Sequence, residues 1–170
     1  MKETPNTMTS TNPSLPTGRT ALFAGSFDPF TIGHDNIARR ALKLFDRIVI
    51  AVSINPQKHC MLSAEERVAA IKRLYADEPR ISVVANDGMT ADIAREVGAR
   101  FNVRGVRSTT DFEYEKTQAE YNKLLGDLET VLLYSPPELS AVSSTAYRTL
   151  VRFNKDASWM LPHANGEQTT

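Results

Sequence analysis

A single cysteine, Cys60, stands in the 170 residues, which excludes an intrachain disulfide and a cysteine-based metal cluster and fits a reducing compartment. It lies in a polar loop and reads as an incidental thiol. Charge of one sign is lacking too. Twenty Lys and Arg balance twenty Asp and Glu, so the basic surplus of a nucleic-acid binder is missing, and any phosphate must be met by local arginines and lysines. No apolar run approaches the length of a membrane span, and the N-terminus lacks the basic-then-apolar layout of a signal peptide; a cytoplasmic protein with no membrane partner is expected. Residues 1–18 contain no aromatic side chain. Pro5, Pro13 and Pro16 stand there among threonines, serines and asparagines, the composition of a disordered extension. Missing as well are Gly-x-x-x-x-Gly-Lys-Ser/Thr and a Gly-x-Gly-x-x-Gly after the first strand, so neither a P-loop nor a dinucleotide fingerprint is available.

The 41% hydrophobic content and the length suit one domain with a proper core, placed at residues 19–162 and followed by a polar tail, 163–170. From Thr20 onward short apolar runs alternate with amphipathic segments, the pattern of a parallel sheet with helices on both faces. Strands are expected at Thr20-Ala21-Leu22-Phe23-Ala24, Ile48-Val49-Ile50-Ala51-Val52, Ile81-Ser82-Val83-Val84, Phe101-Asn102-Val103 and Val131-Leu132-Leu133-Tyr134. The second is apolar on both alternating faces and reads as a central strand. Ser63 stands three residues before Glu66, a capping box that starts a helix with Val68, Ile71 and Tyr75 inward. A third helix runs from Met89 to Val97 and is closed by Gly98. Asp111 to Leu125 reads as a long polar helix in which Phe112, Tyr114, Tyr121 and Leu124 suggest a buried or ligand-facing stripe; a short last helix begins near Ser144. The fold class is α/β, a single-domain Rossmann-like doubly wound five-stranded parallel sheet.

The most informative segment is Gly25-Ser26-Phe27-Asp28-Pro29-Phe30-Thr31-Ile32-Gly33-His34, set between the first strand and the first helix. Gly25 lets the chain turn off the strand, and Gly33 leaves no side chain between backbone and ligand. The helix then opens with free N–H groups and its positive dipole end, so an anion is the natural occupant. His34 is placed where a neutral or protonated ring can donate to a phosphoryl oxygen. In open parallel sheets ligands sit beyond the carboxyl ends of the strands, where strand order reverses. Three polar loops fall at such ends: Gly25 to His34, Ser53 to His59 and Arg104 to Thr110.

Gly25 to His34 resembles the signature of the nucleotidyltransferase superfamily that includes class I aminoacyl-tRNA synthetases. Arg104-Gly105-Val106-Arg107-Ser108, Asp111-Phe112-Glu113-Tyr114-Glu115 and Val142-Ser143-Ser144-Thr145-Ala146-Tyr147-Arg148 narrow the resemblance to the phosphopantetheine adenylyltransferase family, from about Thr20 to Pro162. Ala24 stands where that family often has proline and Ser26 where it usually has threonine, which keeps the hydroxyl. The resemblance implies adenylyl transfer from ATP to 4'-phosphopantetheine in coenzyme A synthesis, with Ser26, His34, Lys58 and Arg107 as the catalytic set. It puts Ser26 and Lys58 on the acceptor phosphate, His34 on the α-phosphate of ATP and Arg107 on the β- and γ-phosphates. Ser143, Ser144, Thr145 and Arg148 would close over the triphosphate; Ser26, Phe27, Gly33, Arg104, Gly105 and Glu115 complete the ATP site. Met89, Asn122 and Arg104 would serve phosphopantetheine. Mg2+ is implied as the cofactor, without a cage of protein carboxylates, as are feedback binding of coenzyme A and a homo-oligomer, a hexamer in the family.

Plainer duties compete at several positions: a surface ion pair for Arg107, solvation for Lys58, support of arginines or subunit contacts for Glu113 and Glu115, and an N-cap for Ser143-Ser144-Thr145. The alternative activities are a nicotinate mononucleotide adenylyltransferase, a polyol-phosphate cytidylyltransferase, or a non-catalytic nucleotide sensor. The first two would show a second histidine in place of Thr31.

Overall fold

A computed structural model describes residues 18–163. The proposed extension and tail therefore lie outside the described residues, apart from the exposed Gly18 and His163. The elements run β1 (Thr20–Gly25), α1 (Ile32–Ala41), β2 (Arg47–Ser53), α2 (Ala64–Leu74), β3 (Ile81–Asn86), α3 (Thr90–Glu96), β4 (Phe101–Val106), α4 (Thr109–Gly126), β5 (Glu129–Tyr134) and α5 (Ser144–Arg152). All strands are parallel, in the order β3-β2-β1-β4-β5.

Side-chain alternation along the strands divides the core. Ala21, Phe23, Ile48, Ile50, Val52, Ile81, Val83 and Val103 pack on one face with Ile37, Ala38 and Ala41 of α1 and Ile71 and Leu74 of α2. Leu22, Ala24, Val49 and Ala51 face the other way, toward Ile93 and Ala94 of α3. β2 is buried at all five positions from Ile48 to Val52, as a strand covered on both faces must be. Burial of each Ile or Val there contributes about 1.5–3 kcal/mol. The Ser63–Glu66 capping box is formed, with Ser63 N–H donating to Glu66 Oε2 at 2.7 Å and Glu66 N–H to Ser63 Oγ at 3.1 Å. Gly98 ends α3 at a φ of +71°, the left-handed conformation that favours glycine.

Two expectations need correction. Arg104 and Gly105 are not loop residues: β4 runs on to Val106, because β5 pairs with it along its whole length, Arg104 opposite Leu132 and Gly105 opposite Leu133. The apolar run ends at Val103, but backbone pairing does not depend on it. The stripe on α4 is also reversed. Phe112, Tyr114, Tyr121 and Leu124 are 38%, 60%, 56% and 82% exposed, whereas Glu115 and Asn122 are buried. Glu115 turns inward because Arg104 waits for it there.

The sheet positions the site through its switch point. The chain builds β2 and β3 on one side of β1 and then crosses to β4 on the other. β1 pairs with β2 from Thr20 to Gly25, but with β4 only at Ala21 and Leu22. The two strands therefore part toward their carboxyl ends, and a cleft opens between them.

Candidate active site

The cleft has a volume of about 290 Å³. Its floor is Ala24 and Gly25 from the end of β1, with Ser26 just beyond it, against Arg104 and Gly105 from β4. Arg104 spans the parted strands: Nη1 donates to the Ala24 carbonyl, while Nε and Nη2 grip Glu115 Oε2 and Oε1 at 2.8 and 2.7 Å. A bidentate fork of this kind fixes the guanidinium plane.

Two helix N-termini face the cleft, α1 through Thr31, Gly33 and His34, and α5 through Ser143, Ser144 and Thr145. Ser143 does cap its helix, accepting from Ala146 N–H at 3.0 Å, and it still lines the cleft. Gly25 and Gly33 are glycines for different reasons. A Cβ on Gly25 would stand 2.9 Å from the Phe27 ring, a collision within the protein itself. A Cβ on Gly33 would find only ordinary contacts, Thr31 Oγ1 at 3.5 Å and Val142 Cγ1 at 3.7 Å, so packing there does not require glycine.

His34 is held by its own helix start. Its Nδ1 accepts the Thr31 backbone N–H at 2.9 Å and lies 3.0 Å from Thr31 Oγ1, so the imidazole takes the place of the Glu or Gln of a capping box. A backbone N–H can only donate, so Nδ1 must be the acceptor and the ring proton sits on Nε2. The rings of Phe27 and Phe30 stand 5.1 and 5.3 Å from the imidazole and fix its plane. Burial, then the charges of Arg104 and Arg107, lower its pKa from 6.5 to about 3. The ring is thus a neutral donor, one of the two forms its position allowed.

Arg107 makes the surface ion pair and also lines the cleft. Its Nε meets Asp111 Oδ2 at 3.0 Å and its Nη1 the Val142 carbonyl at 3.3 Å. Arg148 Nη1 donates to the Asp28 carbonyl at 2.7 Å, and Ser144 Oγ to the Pro29 carbonyl at 2.8 Å, so α5 is tied to the β1–α1 loop. Lys58 reaches the cleft from the exposed β2–α2 loop. Four basic side chains, Lys58, Arg104, Arg107 and Arg148, thus face two carboxylates, Asp111 and Glu115, each already taken by an arginine. The surplus favours an anion with several phosphates.

Of the residues singled out from the sequence, Ser26, Phe27, Gly33, His34, Lys58, Arg104, Gly105, Arg107, Glu115, Ser143, Ser144, Thr145 and Arg148 all line this cleft. Met89 and Asn122 do not: Met89 is the exposed residue before α3, and Asn122 is buried on α4. Cys60 stands outside the lining. Sequence reasoning passed over Asp28, whose buried carboxylate accepts Met61 N–H at 2.7 Å and Leu62 N–H at 2.9 Å, and the buried Arg67 beneath the same loop. The one signal for Arg67 was its helical phase, four and seven residues before Ile71 and Leu74. Among the described residues no group of three His, Cys, Asp or Glu side chains is gathered to hold a metal ion, and no helix is long and apolar enough to cross a membrane.

A switch-point cleft between two helix N-termini, with a neutral imidazole donor and a basic surplus, defines a nucleotidyltransferase-like α/β protein. The cytidylyltransferase-like family matches residues 22–150. A solved structure, that of the lipopolysaccharide core biosynthesis protein from Thermoplasma volcanium, shares the fold with a TM-score of 0.54 over 70% of this chain and 98% of that one, at 21% identity. Curated relatives narrow the class. The phosphopantetheine adenylyltransferase of Bacteroides fragilis is 49% identical over 144 residues, 85% of this chain and 96% of that protein. The phosphopantetheine adenylyltransferase of Porphyromonas gingivalis is 50% identical over 142 residues, covering 84% and 93%. The chain belongs to the phosphopantetheine adenylyltransferase family.

Proposed function

We propose that the protein transfers the adenylyl group of ATP to 4'-phosphopantetheine, giving dephospho-coenzyme A and pyrophosphate. The observation that carries this reading is the neutral His34, with its free Nε2–H at the start of α1, inside a cleft rich in fixed arginines. An oxygen of the acceptor phosphate attacks the α-phosphorus, and the bond from that phosphorus to the bridging oxygen of pyrophosphate breaks. The attacking phosphate is already ionised near neutral pH, so no general base is needed; alignment and charge stabilisation do the work. His34 Nε2–H donates to a non-bridging α-oxygen as charge builds. Arg107, Arg148 and the α5 N-terminus with Ser143, Ser144 and Thr145 hold the leaving phosphates, Ser26 and Lys58 the acceptor phosphate. Gly33 keeps the wall beside Thr31 and Val142 free of a side chain where the phosphates pass.

Glu115 and Asn122 are both buried on α4, two turns or about 10 Å apart. A pantetheine arm leaving the cleft past Glu115 runs toward Asn122, with Met89 at the start of the adjoining α3. The cleft's own carboxylates are committed to arginines and do not suit a metal cage, so Mg2+ is proposed to arrive on ATP and keep its waters. Cytoplasmic location, feedback by coenzyme A and assembly as a homo-oligomer, a hexamer as in the family, belong to the same proposal.

The test is turnover. ATP with 4'-phosphopantetheine should release pyrophosphate, whereas ATP with nicotinate mononucleotide and CTP with a polyol phosphate should not. Faster turnover of either alternative pair would displace the reading, and binding of ATP with no turnover of any pair would leave a nucleotide sensor.

A further inference from the structure

The loop of residues 54–62 carries Lys58 to the cleft, and one buried side chain holds both of its ends. Arg67 on α2, 3% exposed, donates from Nη1 to the carbonyls of Ser26 at 2.6 Å and Ser53 at 3.0 Å. Its Nε donates to the carbonyls of Leu62 and Ser63, each at 3.2 Å. Ser53 closes β2 and Ser63 caps α2, so these bonds join the two stems of the Lys58 loop. The Ser26 carbonyl belongs to the first motif, so the same guanidinium also ties that loop to the cleft floor. Asp28 makes the reciprocal contact through the N–H groups of Met61 and Leu62. All the bonding partners of Arg67 are neutral carbonyls, an expensive setting for a buried charge. A planar fork can read several fixed carbonyls at once; an ammonium on a flexible stem cannot.

We propose that Arg67 is a positioning residue for the acceptor side of the site: it sets Lys58 against Ser26 without touching substrate, and governs acceptor affinity rather than ATP affinity. This rests on the adenylyl-transfer reading, and two measurements separate the two. The first needs no substrate. Trypsin cleavage after Lys58, followed by mass spectrometry well below the melting temperature, should be about tenfold faster in Arg67→Met than in wild type, with Arg67→Lys between them. An unchanged rate overturns the proposal. The second is steady-state kinetics. The KM for 4'-phosphopantetheine should rise about tenfold or more in Arg67→Met, with partial recovery in Arg67→Lys, while the KM for ATP stays within about threefold. Equal rises for both substrates, or a fall in kcat alone, overturn it.

Ile71→Val, a core change on the same helix face, controls for general loss of stability. An effect on Lys58 cleavage equal to that of Arg67→Met also overturns the proposal. Should Arg67→Met fail to fold, Arg67→Lys carries both measurements. If wild type does not turn over these substrates, the adenylyl-transfer reading fails, while the cleavage rates still decide whether Arg67 clasps the loop.

Discussion

Glutamine at position 34 should separate the cap that the imidazole makes from the donor role proposed for it. Nδ1 accepts the Thr31 N–H at 2.9 Å and so completes the start of α1, while Nε2–H faces the cleft. His34→Ala removes both. Losing the cap leaves a backbone donor unmet and costs about 1 kcal/mol. Losing a donor aimed at developing charge costs roughly 3–4 kcal/mol, which at about 1.4 kcal/mol per tenfold is a fall in kcat of several hundredfold. Glutamine is the usual partner of threonine in a capping box, and its side-chain carbonyl can accept the Thr31 N–H. His34→Gln should therefore return unfolding stability to within about 0.5 kcal/mol of wild type, with kcat recovered only in part, because its amide N–H can still donate to the cleft but from a side chain that no rigid ring aims. Urea unfolding and a coupled pyrophosphate assay read the two duties separately. A kcat within about tenfold of wild type in His34→Ala, which has no donor there, would refute the donor assignment. Equal stability of His34→Ala and wild type would refute the cap.

Further outcomes follow from the same geometry. Arg107→Lys should raise the KM for ATP and slow adenylyl transfer, with little change for phosphopantetheine, because the fork to Asp111 and Val142 that aims the group is lost; intact ATP kinetics with weakened phosphopantetheine would show its role misassigned. Lys58→Ala should weaken 4'-phosphopantetheine more than dephosphorylated pantetheine in direct titration, and equal weakening would make Lys58 a general surface charge. His34 also predicts a pH effect. Its folded pKa of about 3 lies below the unfolded value near 6.5, so only the unfolded state takes up this proton as pH falls through 6.5. Stability from this group is full above that value and drops toward pH 3 by up to about 1.4 kcal/mol per pH unit. The stability gap between wild type and His34→Gln should shift against wild type between pH 7 and 4; a gap independent of pH would contradict a neutral buried ring.

Features legible in the sequence were those whose signal is local. The Ser63–Glu66 box involves residues three apart, and β2 announces its burial by apolar residues at every position. Gly25 to His34 spans ten consecutive residues, so its place at the cleft could be read before any packing was known. Phase along α4 was legible as well, but not which face turns inward. That choice went to Glu115 because it could pair with Arg104, eleven residues away in sequence and on another element. Hydrophobicity alone favoured Phe112, Tyr114 and Tyr121, which the fold leaves exposed.

By itself the sequence determined the alternation of strand and helix, the three carboxyl-end segments, and the hydroxyl, imidazole and guanidinium groups available there, since periodicity and motif spacing are properties of neighbouring residues. Only the tertiary structure decided the parting of β1 and β4 that makes the cleft, the burial and the arginine neighbours that keep His34 neutral, and the burial of Arg67 against Ser26, forty-one residues distant. Strand order, the desolvation of a ring and the carbonyls around a buried cation are set by which distant segments come together. No window of the sequence contains that information.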